Sequence, residues 1–264
     1  MDLTPLQYGL GGASGALVGF VLGLVGGGGS ILAVPLLMYV VGLSSPHQAI
    51  GTGALAVAAN AAGGLWSHAR SGTVNWRCGG IYAAAGVVGA LGGSTIGKSI
   101  DGHKLLFLFA LLMVVIAIIM FRGRGNPGVE GAQCNRDNVG KVITFGFGTG
   151  AFSGFFGIGG GFLIVPGLVA STSMPILRAI GTSLVAVTAF GLTTALNYAG
   201  SGFVDWPLAG IFILGGAAGG VFGTRASHHL SAGKGTLNMV FASIVLLVAV
   251  YMLYQSWPAL RPAG

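Results

Sequence analysis

The run Gly26-Gly27-Gly28-Gly29-Ser30-Ile31-Leu32-Ala33-Val34-Pro35 returns, at an offset of 131, as Gly157-Ile158-Gly159-Gly160-Gly161-Phe162-Leu163-Ile164-Val165-Pro166. Two further signals follow in the same order at an offset of 130: Ala49-Ile50-Gly51-Thr52 recurs as Ala179-Ile180-Gly181-Thr182, and Ser71-Gly72 with Trp76 recurs as Ser201-Gly202 with Trp206. Gly86, Gly89 and Gly93 meet Gly216, Gly219 and Gly223 in the same register. Collinear matches at a near-constant offset mean that the chain is a duplication, residues 1–125 and 139–264 joined by a hydrophilic linker at 126–138.

Composition fixes the solvent. Of 264 residues, 53% are hydrophobic, 51 are glycine and only 6% are charged, with a mean hydropathy of +0.86. A soluble domain carries about 25% charged residues, so this chain cannot cover a water-facing surface. It reads as a polytopic membrane protein, with room for at most roughly ten crossings at about 20 residues each. A soluble enzyme and a sizeable extramembrane domain are both excluded. The glycines show no collagen-like period. The net charge of +7 sits in short loops as a topology signal, without the aromatic-interleaved basic stripe of a nucleic-acid binder, so no nucleic-acid partner is expected.

Each half predicts the same series of helices. An apolar segment (9–25; 140–156) leads into the glycine break, a short segment ending near 43 or 172, and three full spans. Those spans are 47–69, 77–98 and 104–122 in the first half, and 178–199, 206–225 and 235–256 in the second. Segments of about 13 residues reach about 20 Å as helices, short of the roughly 30 Å hydrocarbon core, so they read as broken or re-entrant. Whether they cross or re-enter stays open. The loop bearing Arg70 and Arg77 has a partner bearing Asp205 and no basic residue, so equivalent loops face opposite sides. With the N- and C-termini outside, Arg70, Arg77, Arg122, Arg124, Arg136, Lys141, Arg178, Arg225 and Lys234 fall inside. Only Lys98, Lys104 and Arg261 fall outside. The expected fold class is therefore an all-α membrane protein of two inverted-topology repeats. Met1-Asp2-Leu3 lacks the basic start of a signal peptide, so the first apolar stretch is expected to be retained. Cys78 and Cys134 read as structural and fall on the reducing side, so no disulfide is expected.

Inverted repeats with glycine-interrupted short segments point to a transporter with a midplane site. Glycine runs let the backbone turn and free the first amides of the next helix, and two such positive ends suit an anion. Close helix packing is the competing explanation for the glycines, and the preferred one for Gly86, Gly89 and Gly93. Every acid (Asp2, Asp101, Glu130, Asp137, Asp205) falls outside the spans, so neither a carboxylate proton relay nor a counter-charge for a cation is expected. Hydroxyls and amides (Thr52, Asn60, Ser67, Thr182, Ser183, Thr188, Thr193, Thr194, Asn197) cluster in the span after each break, either bonding between helices or lining a polar path. The candidate substrate-binding set is Gly27, Gly28, Gly29, Ser30, Thr52, Asn60, Gly159, Gly160, Gly161, Thr182, Ser183 and Asn197. His47 and Arg178 are the candidates for proton or charge coupling; snorkelling to the interface is the stronger reading for Arg178, and Lys98 is expected to do the same. His68, His103, His228 and His229 are expected to be interfacial, and Trp66, Trp76, Trp206 and Trp257 to form an aromatic belt. No metal cluster, GxSxG elbow or Walker loop is present, so neither a metal, a cofactor nor an enzymatic activity is expected.

With its duplicated Gly-x-Gly-Gly-Gly-(4)-Pro runs, complete in Gly157 to Pro166 and carrying Ser30 in the last glycine place of the first, and with its paired Ala-Ile-Gly-Thr motifs extended by Ser183, the chain resembles the TauE/SafE family of sulfite and organosulfonate transporters. The resemblance spans nearly the whole chain. It implies a multi-pass permease of the bacterial cytoplasmic membrane for small sulfur-containing anions, with Gly26 to Ser30, Gly157 to Gly161, Thr52, Thr182 and Ser183 as the site region. The expected partners are a small anionic substrate and the lipid bilayer, with H⁺ or Na⁺ as coupling ion. The competing functions are a passive anion channel and a non-transporting membrane scaffold or assembly factor. Substrate, direction and oligomeric state are not legible.

Overall fold

The computed structural model describes residues 3–25, 27–122, 134–157, 159–229 and 234–256. Gly26, Ile158, most of the linker, Arg124, Glu130, Trp257, Arg261 and both chain ends lie outside the described residues.

Every regular element among the described residues is helical. In the first half, α1 (Pro5–Val25) leads through a 3-10 turn (Gly27–Leu32) into the short α2 (Ala33–Tyr39). Then come α3 (Pro46–Arg70), α4 (Trp76–Ser99) and α5 (Gly102–Arg122). The second half repeats the order with α6 (Arg136–Phe156), α7 (Gly161–Thr172), α8 (Ile176–Ala199), α9 (Trp206–His229) and α10 (Lys234–Ser256). Among the described residues, six helices are long and apolar enough to cross a membrane.

Short polar side chains start these helices by taking up first-turn amides. Ser45 accepts from the Gln48 N–H, Asn75 from Cys78 and Asp205 from Leu208. Asp101 accepts from both His103 and Lys104. These two amides, Lys104's foremost, hold the exposed Asp101 carboxyl below the usual carboxylate range. Asp101 and Asp205 thus sit outside the spans because they cap them.

Packing partners exchange between the halves. α1 lies on α9 as α6 lies on α4, α3 touches α9 as α8 touches α4, and α3 with α8, and α5 with α10, pair across the halves. The long contacts are glycine-made. A Cβ on Gly15, Gly19, Gly219 or Gly223 would strike the backbone carbonyl of Phe212, Gly216, Ala16 or Phe20, and one on Gly89, Gly93 or Gly154 that of Phe147, Ala151 or Ala90. These contacts advance in step along both helices of each pair, so α1 runs parallel to α9 and α4 parallel to α6. The scattered glycines are therefore close-packing residues, as small residues are in membrane helices. Trp66, Trp76 and Trp206 are exposed at helix ends.

Two expectations fail. Cys78 and Cys134 form a disulfide with Cα atoms 5.4 Å apart. The parallel packing of α4 on α6 brings the two helix starts together, a proximity that compartment reasoning does not address. Lys98, expected to snorkel, is half-buried and donates to three oxygens of the second half, the main-chain carbonyl and Oδ1 of Asn197 (3.0 and 2.7 Å) and Oγ of Ser201 (2.8 Å).

Candidate functional site

The two breaks differ in construction. In the second half, Gly157, Gly159 and Gly160 have φ of +67°, +63° and +67°, the left-handed region that favours glycine, and α7 starts at Gly161. The carbonyl of Gly160 then accepts from Leu163 and Ile164 at 2.8 and 3.0 Å. In the first half, Gly27, Gly28, Gly29 and Ser30 lie in the 3-10 turn, so the α-helix begins only at Ala33. Gly29 is required there because a Cβ would meet the Leu22 amide nitrogen at 2.5 Å and the Val18 carbonyl at 2.8 Å. The turn folds back along α1 and returns to its starting face, where Gln7 Nε2 donates to the Val41 carbonyl at 3.1 Å. The first short segment thus forms the return leg of a hairpin.

The breaks pack against each other, since α7 touches the 3-10 turn. Their surroundings are mostly aliphatic. Ile31, Val57, Ile164 and Val187 are fully buried, and Val57 and Val187 press on Gly159. Among polar groups, Ser30 is buried, and Ser153 beside Gly160 has a buried Oγ with no hydrogen-bond partner.

The Ala-Ile-Gly-Thr motifs lie at opposite ends of the molecule, one on each helix-turn junction. Thr52 Oγ1 accepts the Asp205 N–H at 3.0 Å, and Thr182 Oγ1 accepts the Asn75 N–H at 2.9 Å. Gly51 faces the carbonyl of Phe203, while Gly181 faces Thr73 and His68. Each motif thus receives the Ser-Gly-x-x-x-Trp turn of the other half, so two repeated signals explain one another as an interlock. Ser183, Thr188 and Thr193 donate back to carbonyls of their own helix, at Ile180, Leu184 and Ala189. Thr194 Oγ1 is buried without a partner.

The open space lies elsewhere. A cavity of about 400 Å³ is walled by α1 (Gly19, Leu22, Gly23), α3 (Ala59 to His68), α8 (Leu177, Ile180, Leu184) and α9 (Ile213 to Val221). Its polar wall groups are Asn60, Ser67 and His68, and His68 Nδ1 lies 2.8 Å from Thr73 Oγ1. Asn60 Nδ2 is buried against Gly216 with no hydrogen-bond partner among the described residues. Leu22 connects this wall to the first break, because Gly29 packs on its backbone. None of the described glycines of either run lines the cavity.

At the offset of 130, Asn60 corresponds to Phe190, Gly216 to Gly86 and Ser67 to Asn197. Phe190 is fully buried, stacks on Tyr82 with ring centroids 6.4 Å apart, and occupies the space above Gly86. Asn197 Nδ2 donates to Ser94 Oγ (2.6 Å) and Thr95 Oγ1 (3.1 Å), and Asn197 receives Lys98. His47 sits at that same end against Tyr198 and Phe203, with a buried and unpartnered Nδ1. Arg178 is exposed on the opposite face. The predicted residues therefore divide. The breaks meet at the centre, Asn60 borders the cavity, Thr52 and Thr182 interlock the halves, and Asn197 and His47 belong to the closed end. Lys98 is the polar residue that sequence reasoning under-read.

The sequence profile described as "Sulfite exporter TauE/SafE" matches residues 12–252. A "Probable membrane transporter protein" of Xylella fastidiosa (strain 9a5c) is 54% identical over 94% of this chain and 95% of its own length. The "Probable membrane transporter protein YunE" of Bacillus subtilis (strain 168) is 24% identical over 91% and 95%. A "Probable membrane transporter protein" of Haemophilus influenzae is 28% identical over 90% and 95%. No solved structure matches the chain.

Proposed function

Because this chain belongs to the TauE/SafE family of membrane transporters, we propose that it carries a small sulfur-containing oxyanion, sulfite or a sulfonate, across the bacterial cytoplasmic membrane by alternating access between two inverted halves. The parallel packing of α1 on α9 and of α4 on α6, with five α-helices in each half among the described residues, supports the inversion. The basic residues Arg70, Arg77, Arg136 and Arg178 mark the cytoplasmic face, and Lys98, Asp101, Lys104 and Asp205 the outer one.

One observation carries the proposal. A cavity stands open beside Asn60, while the related volume of the other half is filled by Phe190 and latched by Lys98 on Asn197. This is the asymmetry of a carrier resting with one pathway open. The anion enters from the cytoplasmic face past Ser67 and His68, meets the carboxamide of Asn60, and reaches the central region of Gly27 to Ser30 and Gly159 to Gly161. There Ser153, Thr194 and the first amides of α7 can donate to it without a fixed cation. Exchange of the two packings opens the Lys98 end. His47, beside that latch, is the group through which H⁺ coupling would act; Na⁺ coupling would instead use main-chain carbonyls at the breaks.

The test is flux of labelled sulfite and a short sulfonate in proteoliposomes of the pure protein, with and without pH and Na⁺ gradients. Saturable flux that follows one gradient is expected. Non-saturating currents would indicate a channel, and no flux from folded protein would leave a scaffold.

A further inference from the structure

At the turn between α3 and α4 lies a second cavity, of about 260 Å³, whose lining shares no residue with the first. Its walls include Gly72, Asn75, Trp76, Arg77, Cys134 and Arg178. The two guanidiniums come from different halves, Arg77 from the first turn of α4 and Arg178 from that of α8. Both are exposed, and neither has a hydrogen bond or ion pair with a described residue. Trp76, 59% exposed, sits beside them as an interfacial aromatic does.

The duplication supplies an internal control. At the offset of 130, Asn75, Trp76, Arg77 and Arg178 correspond to Asp205, Trp206, Pro207 and Gln48. That turn closes with the same threonine-to-amide bond, Thr52 accepting from Asp205 as Thr182 accepts from Asn75. The fold of the turn therefore requires no arginine, and the paired cations are an addition confined to one face. Two planar forks of N–H donors around a cavity of this size match the oxygens of a tetrahedral anion, which each can contact bidentately. A basic pocket between helix ends at a membrane surface suits a phosphate headgroup.

We propose that this pocket binds a phosphate group at the arginine-bearing face, through Arg77 and Arg178. The phosphate belongs either to the headgroup of an anionic phospholipid or to a free anion. The site is separate from that of the transported anion, and its existence does not depend on the transport mechanism.

The test measures thermal stabilisation and native mass spectra of the full-length protein in detergent. One arm titrates phosphatidylglycerol against phosphatidylcholine, and the other inorganic phosphate against chloride. Saturable binding is expected in at least one arm, weakened about tenfold or more by Arg77→Gln with Arg178→Gln. It should be unchanged in Arg70→Gln, which removes a cation of the same face held over Trp66 at 4.9 Å. A response to phosphatidylglycerol alone identifies a lipid site, and a response to inorganic phosphate a free-anion site. No saturation in either arm, or equal loss in Arg70→Gln, overturns the proposal. Should the double variant not yield folded protein, Arg178→Lys and Arg178→Gln decide it. Affinity should fall in the order Arg, Lys, Gln, and three equal affinities would overturn it.

Discussion

The environment of Asn60 and that of Phe190 are the same place built twice. Each lies on the central helix of its half and covers a glycine of a neighbouring long helix, Gly216 or Gly86. In one case a carboxamide borders a cavity; in the other a phenyl ring closes the gap and a lysine seals the end. The related positions thus carry two different packings, a cavity beside Asn60 and a filled core around Phe190.

The frame itself should be the most sensitive element. Gly219→Leu would drive a side chain into the Ala16 carbonyl and Gly89→Leu one into that of Phe147. Each should cost more than ~3 kcal/mol, read as loss of folded monodisperse protein in detergent, because backbone cannot give way as a core side chain can. Equal damage in both halves would confirm that the frame is symmetric where the cavities are not.

Next in size is the exchange of the two decisive residues. Asn60→Phe copies the closed half into the open one. It should lower flux about tenfold or more with thermal stability retained. Phe190→Asn removes a buried ring and should destabilise by roughly 3 kcal/mol. Unchanged flux in Asn60→Phe would show that the cavity lies off the pathway.

The latch should act more weakly. Lys98→Met removes a cation that holds Asn197 and Ser201, a loss of about 1–3 kcal/mol for charge-assisted bonds, and should increase labelling of Ser201→Cys from outside. The interlocks come next. Thr52→Val and Thr182→Val each orphan one amide and should cost about 1 kcal/mol apiece, by equal amounts if the junctions are equivalent.

The smallest effect belongs to Asp101. Its folded carboxyl titrates below the unfolded value, so its stabilisation is present above about pH 4 and is lost as pH falls through the folded value. Asp101→Asn, which keeps a cap, should flatten the stability profile only in that acid range, as followed by thermal unfolding against pH.

Much of this molecule is legible in its sequence, because apolar run length and a repeat offset are local or self-comparing signals. All ten helices appear near their expected bounds. The packing role of Gly86, Gly89 and Gly93 follows from the general use of small residues where membrane helices meet. The fate of Thr52 and Thr182 does not, because a hydroxyl in a span gives no indication of which amide, more than 100 residues away, it will meet. Lys98 was under-read for the same reason. Ser67, by contrast, fell within the expected polar cluster and does line the cavity. The Cys78–Cys134 disulfide is not legible in the sequence, because the side of the membrane says nothing of how near two residues 56 apart lie in the fold. The inequality of Asn60 and Phe190 could have been found by comparing the halves residue by residue, since a polar residue facing an aromatic one at a repeated position marks broken symmetry.

Alternating access is tested most directly by thiol labelling of Ser67→Cys and Ser201→Cys, one on each pathway, in protein whose native cysteines are replaced by serine. Labelling is followed in oriented vesicles with a membrane-impermeant reagent and a short sulfonate. The expected result is reciprocal, Ser67→Cys reacting from the cytoplasmic face and Ser201→Cys from the outer face, with substrate moving the two in opposite directions. Simultaneous reaction at both sites, or indifference of both to every transported anion, would contradict it.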